Sequence, residues 1–313
     1  MIRQFTASAP GRAGIIGNPS DIYGGVVVSC SVPTRNRCTL EVGRAGPMPD
    51  DLRLWNAVAA RFPIGDPLGL GLQSDVPRSS GLSGSTAALA SILLCVLAAR
   101  SEAPDLDAPN ARRDFAELVR DIERNEAGIV CGYQDAYMIV HGGLQYMEFP
   151  GKHPVNPGPQ ATLEPIHAPL PFLLVTTGVE RLSGSVHGPM AQRWLSGETA
   201  VVEGIARITE LGREGATAIK ALDWSRLAGL MNENHAIVAS LGGSGEAIDA
   251  LITACLECGA AGAKLAGAGL GGTIIALSEA QDELQTRLTA RGYTRFMRPS
   301  IEPGAKLEFA SAV

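Results

Sequence analysis

Residues 77–94 read PRSSGLSGSTAALASILL, a glycine–serine loop that runs without a break into an apolar helix. At such a junction the first backbone N–H groups of the helix lack intrahelical partners and point outward. The positive end of the helix dipole lies behind them, and together they suit a phosphate. Pro77, Gly81, Leu82, Ser83, Gly84, Ser85 and Thr86 are the candidate nucleotide-binding residues. The hydroxyls of Ser83, Ser85 and Thr86 add hydrogen bonds or a hard oxygen for Mg²⁺. No Gly-Lys-Ser/Thr ends the loop, so it is not a Walker loop. A serine-capped buried helix would carry the same residues.

Between Arg78 and Arg100 lie 21 residues without a charge, close to membrane-spanning length. Glycine and serine occupy the first third, which leaves too little apolar chain to cross, and a buried helix is expected. The first residues, MIRQFTASAPGR, lack the apolar stretch of a signal peptide. At 313 residues, 45% hydrophobic and 19% charged, the composition is that of a packed globular protein with room for two domains. A net charge of −6 argues against nucleic acid as the partner, while a small anionic substrate needs only a local basic pocket. The six cysteines are spread over a chain too large to need disulfides. Cys255 and Cys258 form a lone CxxC on one face of an apolar helix, where core packing is favoured over a metal site. Free thiols point to a reducing cytoplasm, and a monomer or homodimer is expected.

Outward from the loop, residues 5–10 and 26–32 read as strands around the turn-rich insert 17–25, with 36–42 continuing the strand pattern. Residues 52–61 and 111–126 read as helices, the second with Phe115, Leu118, Val119 and Ile122 as its apolar stripe. A proline-rich stretch, 150–171, marks the expected junction between domains 1–165 and 166–313. Beyond it a strand at 172–177, helices through 187–240 and 246–258, and a strand at 273–277 are expected. Strands and helices mix without βαβ alternation, so the fold class is α+β.

A second glycine loop, Lys264 to Gly272, lies between a helix and a strand, and Gly267, Gly269 and Gly271 permit close backbone approach. A third segment, APGRAGIIGNPSDIYGG at 9–25, sets Arg12 and Asp21 at either end of an apolar strand and turn.

In order, the three segments read APGR-x4-G-x3-D-x2-GG, P-x3-GL-x2-S and K-x2-GAG-x-GG. Together they resemble the signature motifs of the GHMP kinases, over roughly residues 5 to 280. Asn18-Pro19-Ser20-Asp21, where galactokinase-like members have Gly-Glu-His before the aspartate, resembles glucuronokinases, as does GIVCGYQDAYMIVHGGLQYMEF at 128–149. The usual Gly-Ser-Ser of the second motif is here Ser83-Gly84-Ser85.

The resemblance implies a two-domain fold, ribosomal-protein-S5-like then ferredoxin-like, and phosphoryl transfer from MgATP to a sugar hydroxyl. D-glucuronate, giving the 1-phosphate, is the first-choice acceptor. A galactose- or heptose-like sugar comes next, then a mevalonate-like acceptor. A catalytically silent ATP or sugar sensor is the rival of another class. The resemblance further implies Asp135 facing the reacting hydroxyl with Arg12 beside it, and Asn18, Asp21 and Tyr133 around the acceptor. For Mg²⁺ it pairs Ser85 with a glutamate five residues before Gly128, which is Glu123. Periodicity instead centres Glu126 in the apolar stripe, so both glutamates stand. Arg193 follows the Ser183-Gly184-Ser185 loop with His187 and Trp194, and can meet a substrate carboxylate bidentately or form a surface salt bridge. Tyr23 is a second tyrosine that can contact a sugar. Asn232, Asn234 and His235 are expected to cap or brace the cleft.

Overall fold

The computed structural model describes residues 2–65, 67–77, 80–178, 184–267, 269 and 272–312. In chain order its elements begin with β1 (Arg3–Ile16), a 3₁₀ turn (Ser20–Tyr23), β2 (Val26–Val42), α1 (Arg53–Arg61) and β3 (Leu68–Ser74). There follow α2 (Gly84–Ala99), α3 (Ala111–Asn125), α4 (Tyr133–His141), β4 (Leu144–Glu148) and β5 (Thr162–Pro165). The second half holds β6 (Phe172–Thr176), α5 (Gly184–Leu195), α6 (Thr199–Lys220), α7 (Trp224–Ser240) and α8 (Glu246–Glu257). It ends with β7 (Gly262–Leu265), β8 (Thr273–Leu277), α9 (Gln281–Ala290), β9 (Phe296–Met297) and β10 (Lys306–Ala312).

Two antiparallel sheets organise these elements. The first runs β10-β1-β2-β4-β5, with β3 pairing the later half of β2, and the second runs β7-β8-β6-β9. The return of β10 to β1 weaves the end of the chain into the first sheet.

The first strand is longer than its sequence pattern suggests. The expected strand stops at residue 10, yet Gly11 and Gly14 lie within β1, beside register shifts against β2. A Cβ at Gly11 would sit 2.8 Å from Val32 Cγ2 and 2.9 Å from the Leu82 carbonyl oxygen. Glycine is there to let the backbone close on the loop before α2. Strand alternation is absent because both faces of β1 are covered. Ala7 and Ala9 pack with α2, while Ala13, Ile15 and Ile16 pack with Leu211 of α6 and Leu227 of α7.

Helix α2 is buried almost all round, as expected for an uncharged run. Among the described residues no helix is long and apolar enough to cross a membrane. In the second sheet, Leu173, Val175, Ile274 and Ala276 face α8 and α9, whereas Phe172, Leu174, Ile275 and Leu277 face α7. Cys255 and Cys258 are buried in that packing as free thiols.

Candidate active site

The loop before α2 is not the serine cap that the sequence allows. Ser83 takes a left-handed conformation, φ 61° and ψ 39°, and makes no capping hydrogen bond. Its hydroxyl is buried without a partner among the described residues. Such a backbone costs a non-glycine residue on the order of 1–2 kcal/mol, and strain of this kind collects at ligand sites. The loop lies against the second glycine segment. A Cβ on Gly267 would stand 2.5 Å from the Gly81 oxygen, so these two backbones can meet only at glycine. Gly269 also needs glycine, with φ 107°. Gly271 lies outside the described residues.

Arg12 ties three segments together. Its Nε and Nη2 donate to Asp135 Oδ1 at 2.8 and 2.6 Å, and its Nη1 donates to the Gly81 and Ala266 carbonyls at 2.6 and 3.2 Å. Asp135 sits in the first turn of α4, a helix not foreseen from the sequence. That helix has no local side-chain cap. Asp21 supplies one from 113 positions away, its Oδ2 accepting from the Gln134 N–H at 2.9 Å. Burial pushes the Asp21 carboxyl above the usual carboxylate range. The Gln134 N–H opposes this, and the Asp135 charge adds to it.

Glu123 is the glutamate that meets the loop. Ser85 Oγ donates to Oε1 at 2.9 Å, and Thr86 Oγ1 lies 2.8 Å from Oε2. Burial pushes Glu123 up to about 7, against the hydrogen bond from Thr86. Glu126, the alternative that periodicity offers, forms an ion pair through Oε1 with Arg61 of α1. Glu126 continues the αR backbone at the end of α3, its N–H donating to the Ile122 carbonyl, and its Oε2 is buried without a partner among the described residues.

Asn18 bridges the first and third segments rather than facing an open pocket. Its Oδ1 accepts from Lys264 Nζ at 2.6 Å, and its Nδ2 donates to the Gly267 oxygen at 3.1 Å. Asn234 of α7 completes this brace, accepting from Gly17 N–H at 2.8 Å and donating to the Asn18 oxygen at 3.2 Å. Asn232 likewise accepts from the Ala263 N–H, and His235 lies 3.8 Å from Asp249. Tyr23 packs on Trp194, ring centroids 5.4 Å apart, and Trp194 stacks in turn on His153. The Asp21 charge acts on Tyr23, and His187 acts on Asp21, which puts α5 beside the carboxylates.

Two expected substrate contacts are engaged by other protein groups. The Tyr133 ring is buried in the core between α3 and Phe149, with the Arg120 guanidinium carbon 3.9 Å from its centroid. Arg193 is filled: its Nε and Nη2 hold Glu198 at 2.8 and 2.6 Å, and Nη1 reaches the Leu241 carbonyl.

Lys264 and Arg120 are the charged residues that sequence reasoning passed over. Lys264 is buried with no carboxylate partner among the described residues, and burial with the Arg12 charge brings it down to about 7. Its signal was a single lysine inside an otherwise apolar strand. Arg120 and Glu123 stand three apart on the buried face of α3, with no ion pair between them among the described contacts.

Residues 52–143 match the family model for the GHMP kinases N terminal domain, and residues 216–294 match that for GHMP kinases C terminal. A probable glucuronokinase 2 from Arabidopsis thaliana is 32% identical over 210 residues, 64% of this chain and 54% of that protein. The chain thus spans about half the length of the curated glucuronokinases it matches. A mevalonate kinase from Aeropyrum pernix is 28% identical over 98% of this chain and 99% of its own. A Lactococcus lactis galactokinase structure complexed with galactose superposes with a TM-score of 0.73 at 19% identity, covering 97% of this chain and 95% of that one.

Proposed function

Because the chain belongs to the GHMP kinase family, we propose that it transfers the γ-phosphoryl group of ATP, with Mg²⁺, to a sugar hydroxyl. D-glucuronate is the first acceptor and its 1-phosphate the product. The Arg12–Asp135 pair carries this reading. Through Arg12 Nη1 on the Gly81 carbonyl, the carboxylate and the phosphate loop are one hydrogen-bonded unit.

The residues present fit a magnesium nucleotide. The loop offers unpaired N–H groups at the start of a buried helix and an orphaned Ser83 hydroxyl. Ser85 and Glu123 set two hard oxygens 2.9 Å apart, with the carboxylate lacking a cation among the described contacts. Pro77, Gly81–Thr86, Gly267 and Gly269 would line the nucleotide, and Ser85 and Glu123 would hold the metal. ATP supplies the phosphoryl group, and Mg²⁺ neutralises charge on its oxygens.

Asp135 accepts the proton of the acceptor hydroxyl at Oδ2, the oxygen to which Arg12 does not donate. Arg12 fixes the carboxylate's orientation and lends positive charge where negative charge develops. Asp21 holds the first turn of α4 in place, and with Tyr23 and His187 it forms the polar side of the acceptor pocket. The glucuronokinase likeness and the Asn18-Pro19-Ser20-Asp21 motif favour a uronic acid over a neutral sugar.

ADP release, measured with a panel of D-glucuronate, D-galacturonate, neutral hexoses, heptose phosphates and mevalonate, tests the proposal. D-glucuronate is expected to give the highest kcat/KM, with the 1-phosphate visible by ³¹P NMR. Turnover of another acceptor and none of glucuronate would replace the substrate. Intact ATP binding with no turnover on any acceptor would favour the sensor.

A further inference from the structure

Arg120 lies on α3, one turn before Glu123, with 5% of its surface exposed. Its Nε and Nη2 are buried and have no hydrogen-bond partner among the described residues. The neighbouring carboxylates are committed elsewhere. Glu117 holds Lys152 Nζ at 2.6 Å and the Tyr137 hydroxyl at 2.5 Å. Glu123 holds Ser85 and Thr86, Asp135 holds Arg12, and Asp21 holds the Gln134 N–H.

A guanidinium cannot shed its charge at physiological pH. Burying one without an anion is costly, and stacking on the Tyr133 ring offsets only part of that. The ring Arg120 stacks on belongs to Tyr133, the residue after Gly132. A Cβ on Gly132 would lie 2.2 Å from Asp21 Oδ2, so Asp21 lies against the residue that precedes Tyr133, on whose ring Arg120 stacks. In the proposed reaction Asp21 lines the acceptor pocket.

Nε and Nη2 form the side-on edge of a guanidinium, whose two parallel N–H groups match the two oxygens of a carboxylate. On Arg193 the same edge is filled by Glu198. On Arg120 it is empty of protein acceptors among the described residues. Resting on the kinase reading above, we propose that Arg120 binds the anionic substituent of the acceptor, the carboxylate of a sugar acid. It is a specificity-determining residue that separates uronic acids from their neutral hexoses. A phosphate on the acceptor is the other anion this edge accepts, and the test separates the two.

Calorimetric binding of D-glucuronate, D-glucose, D-glucose 6-phosphate and ATP is measured on the full chain and on Arg120→Gln and Arg120→Lys. The unaltered protein is expected to prefer D-glucuronate to D-glucose. Arg120→Gln should weaken D-glucuronate about 10- to 100-fold, the loss of a charge-assisted pair, with D-glucose and ATP unmoved. Arg120→Lys keeps the charge without the fork and should recover part of the loss. Equal binding of D-glucuronate and D-glucose by the unaltered protein would overturn the assignment. So would D-glucuronate binding unchanged in Arg120→Gln. Preference for D-glucose 6-phosphate over D-glucuronate would overturn the carboxylate in favour of a phosphate. If Arg120→Gln does not fold, Arg120→Lys decides, and undiminished D-glucuronate binding there counts against the proposal. Binding reads Arg120 whether or not ADP is released, so failure of the kinase reading is told apart from failure of this one.

Discussion

Arg12 gives both Nε and Nη2 to a single oxygen of Asp135, Oδ1, across 123 positions of sequence. A side-on guanidinium ordinarily takes both oxygens of a carboxylate. Here the second oxygen is left for something else, and a reacting hydroxyl fits it. Asp135→Asn keeps the shape and removes the base. Turnover should fall about 10²- to 10⁴-fold, while the Kd for ATP stays unchanged. The variant also leaves the Arg12 charge, 5% exposed, without its partner, so its denaturation midpoint should drop. Near-normal turnover would remove Asp135 from its role.

Glu123 and Glu126 are separated by a paired substitution. Glu123→Gln keeps the hydrogen-bonding shape toward Ser85 and Thr86 but loses the hard anionic oxygen. The Mg²⁺ concentration for half-maximal turnover should rise at least about tenfold, the change expected for losing a charged ligand contact. Glu126→Gln breaks only the pair with Arg61, an interaction worth about 1 kcal/mol or less for a partly exposed pair. Its Mg²⁺ dependence should match that of the unaltered protein. The reverse pattern would move the metal to Glu126.

The contrast between these glutamates shows what was legible in advance. The three glycine segments were readable because glycine is required by backbone approach, as where Gly267 meets Gly81, and such needs leave a mark in the residues themselves. The strand patterns at 26–42 and 172–176 were readable because alternate residues face different layers. Helix α4 was not, since its cap, Asp21, lies far away in sequence. Periodicity placed Glu126 on the stripe of α3 but could not name its partner, Arg61, which lies on another helix. Arg193 and Tyr133 looked available because nothing in their own neighbourhood names Glu198 or the Arg120 stack as partners. The burial of Lys264 depends on β8, α7 and Asn18 closing around it, which no local pattern encodes.

Ser83 holds a left-handed backbone that costs a residue with a Cβ about 1–2 kcal/mol, and its hydroxyl is buried without a partner among the described residues. Glycine removes both burdens but gives the unfolded chain more freedom, about 0.4–1 kcal/mol in the opposite sense. Ser83→Gly should therefore raise stability by about 0.5–1 kcal/mol, read as a higher urea midpoint at constant slope. A lower midpoint would show that the hydroxyl is engaged in the folded state.

Lys264 links stability to pH. Burial, and then the Arg12 charge, bring its folded-state pKa down to about 7 from 10.5. Between those values the unfolded chain carries the lysine's proton and the folded chain does not. The difference in protons bound, unfolded minus folded, is positive, so stability rises with pH across the window. Below about pH 7 both states are protonated and the full cost of the buried charge remains. The slope from this group approaches 1.4 kcal/mol per pH unit in mid-window, about one proton's worth. Neutral Lys264 still donates to Asn18 Oδ1 and to the Leu265 carbonyl, each at 2.6 Å. Lys264→Met removes the titration while leaving an unbranched side chain of similar length in the site. Urea unfolding at pH 7.5, 8.5 and 9.5 should show the unaltered protein gaining on Lys264→Met at each step. Parallel pH profiles for the two proteins would mean that Lys264 keeps its proton when folded, with Asn18 and the carbonyl enough to hold the charge.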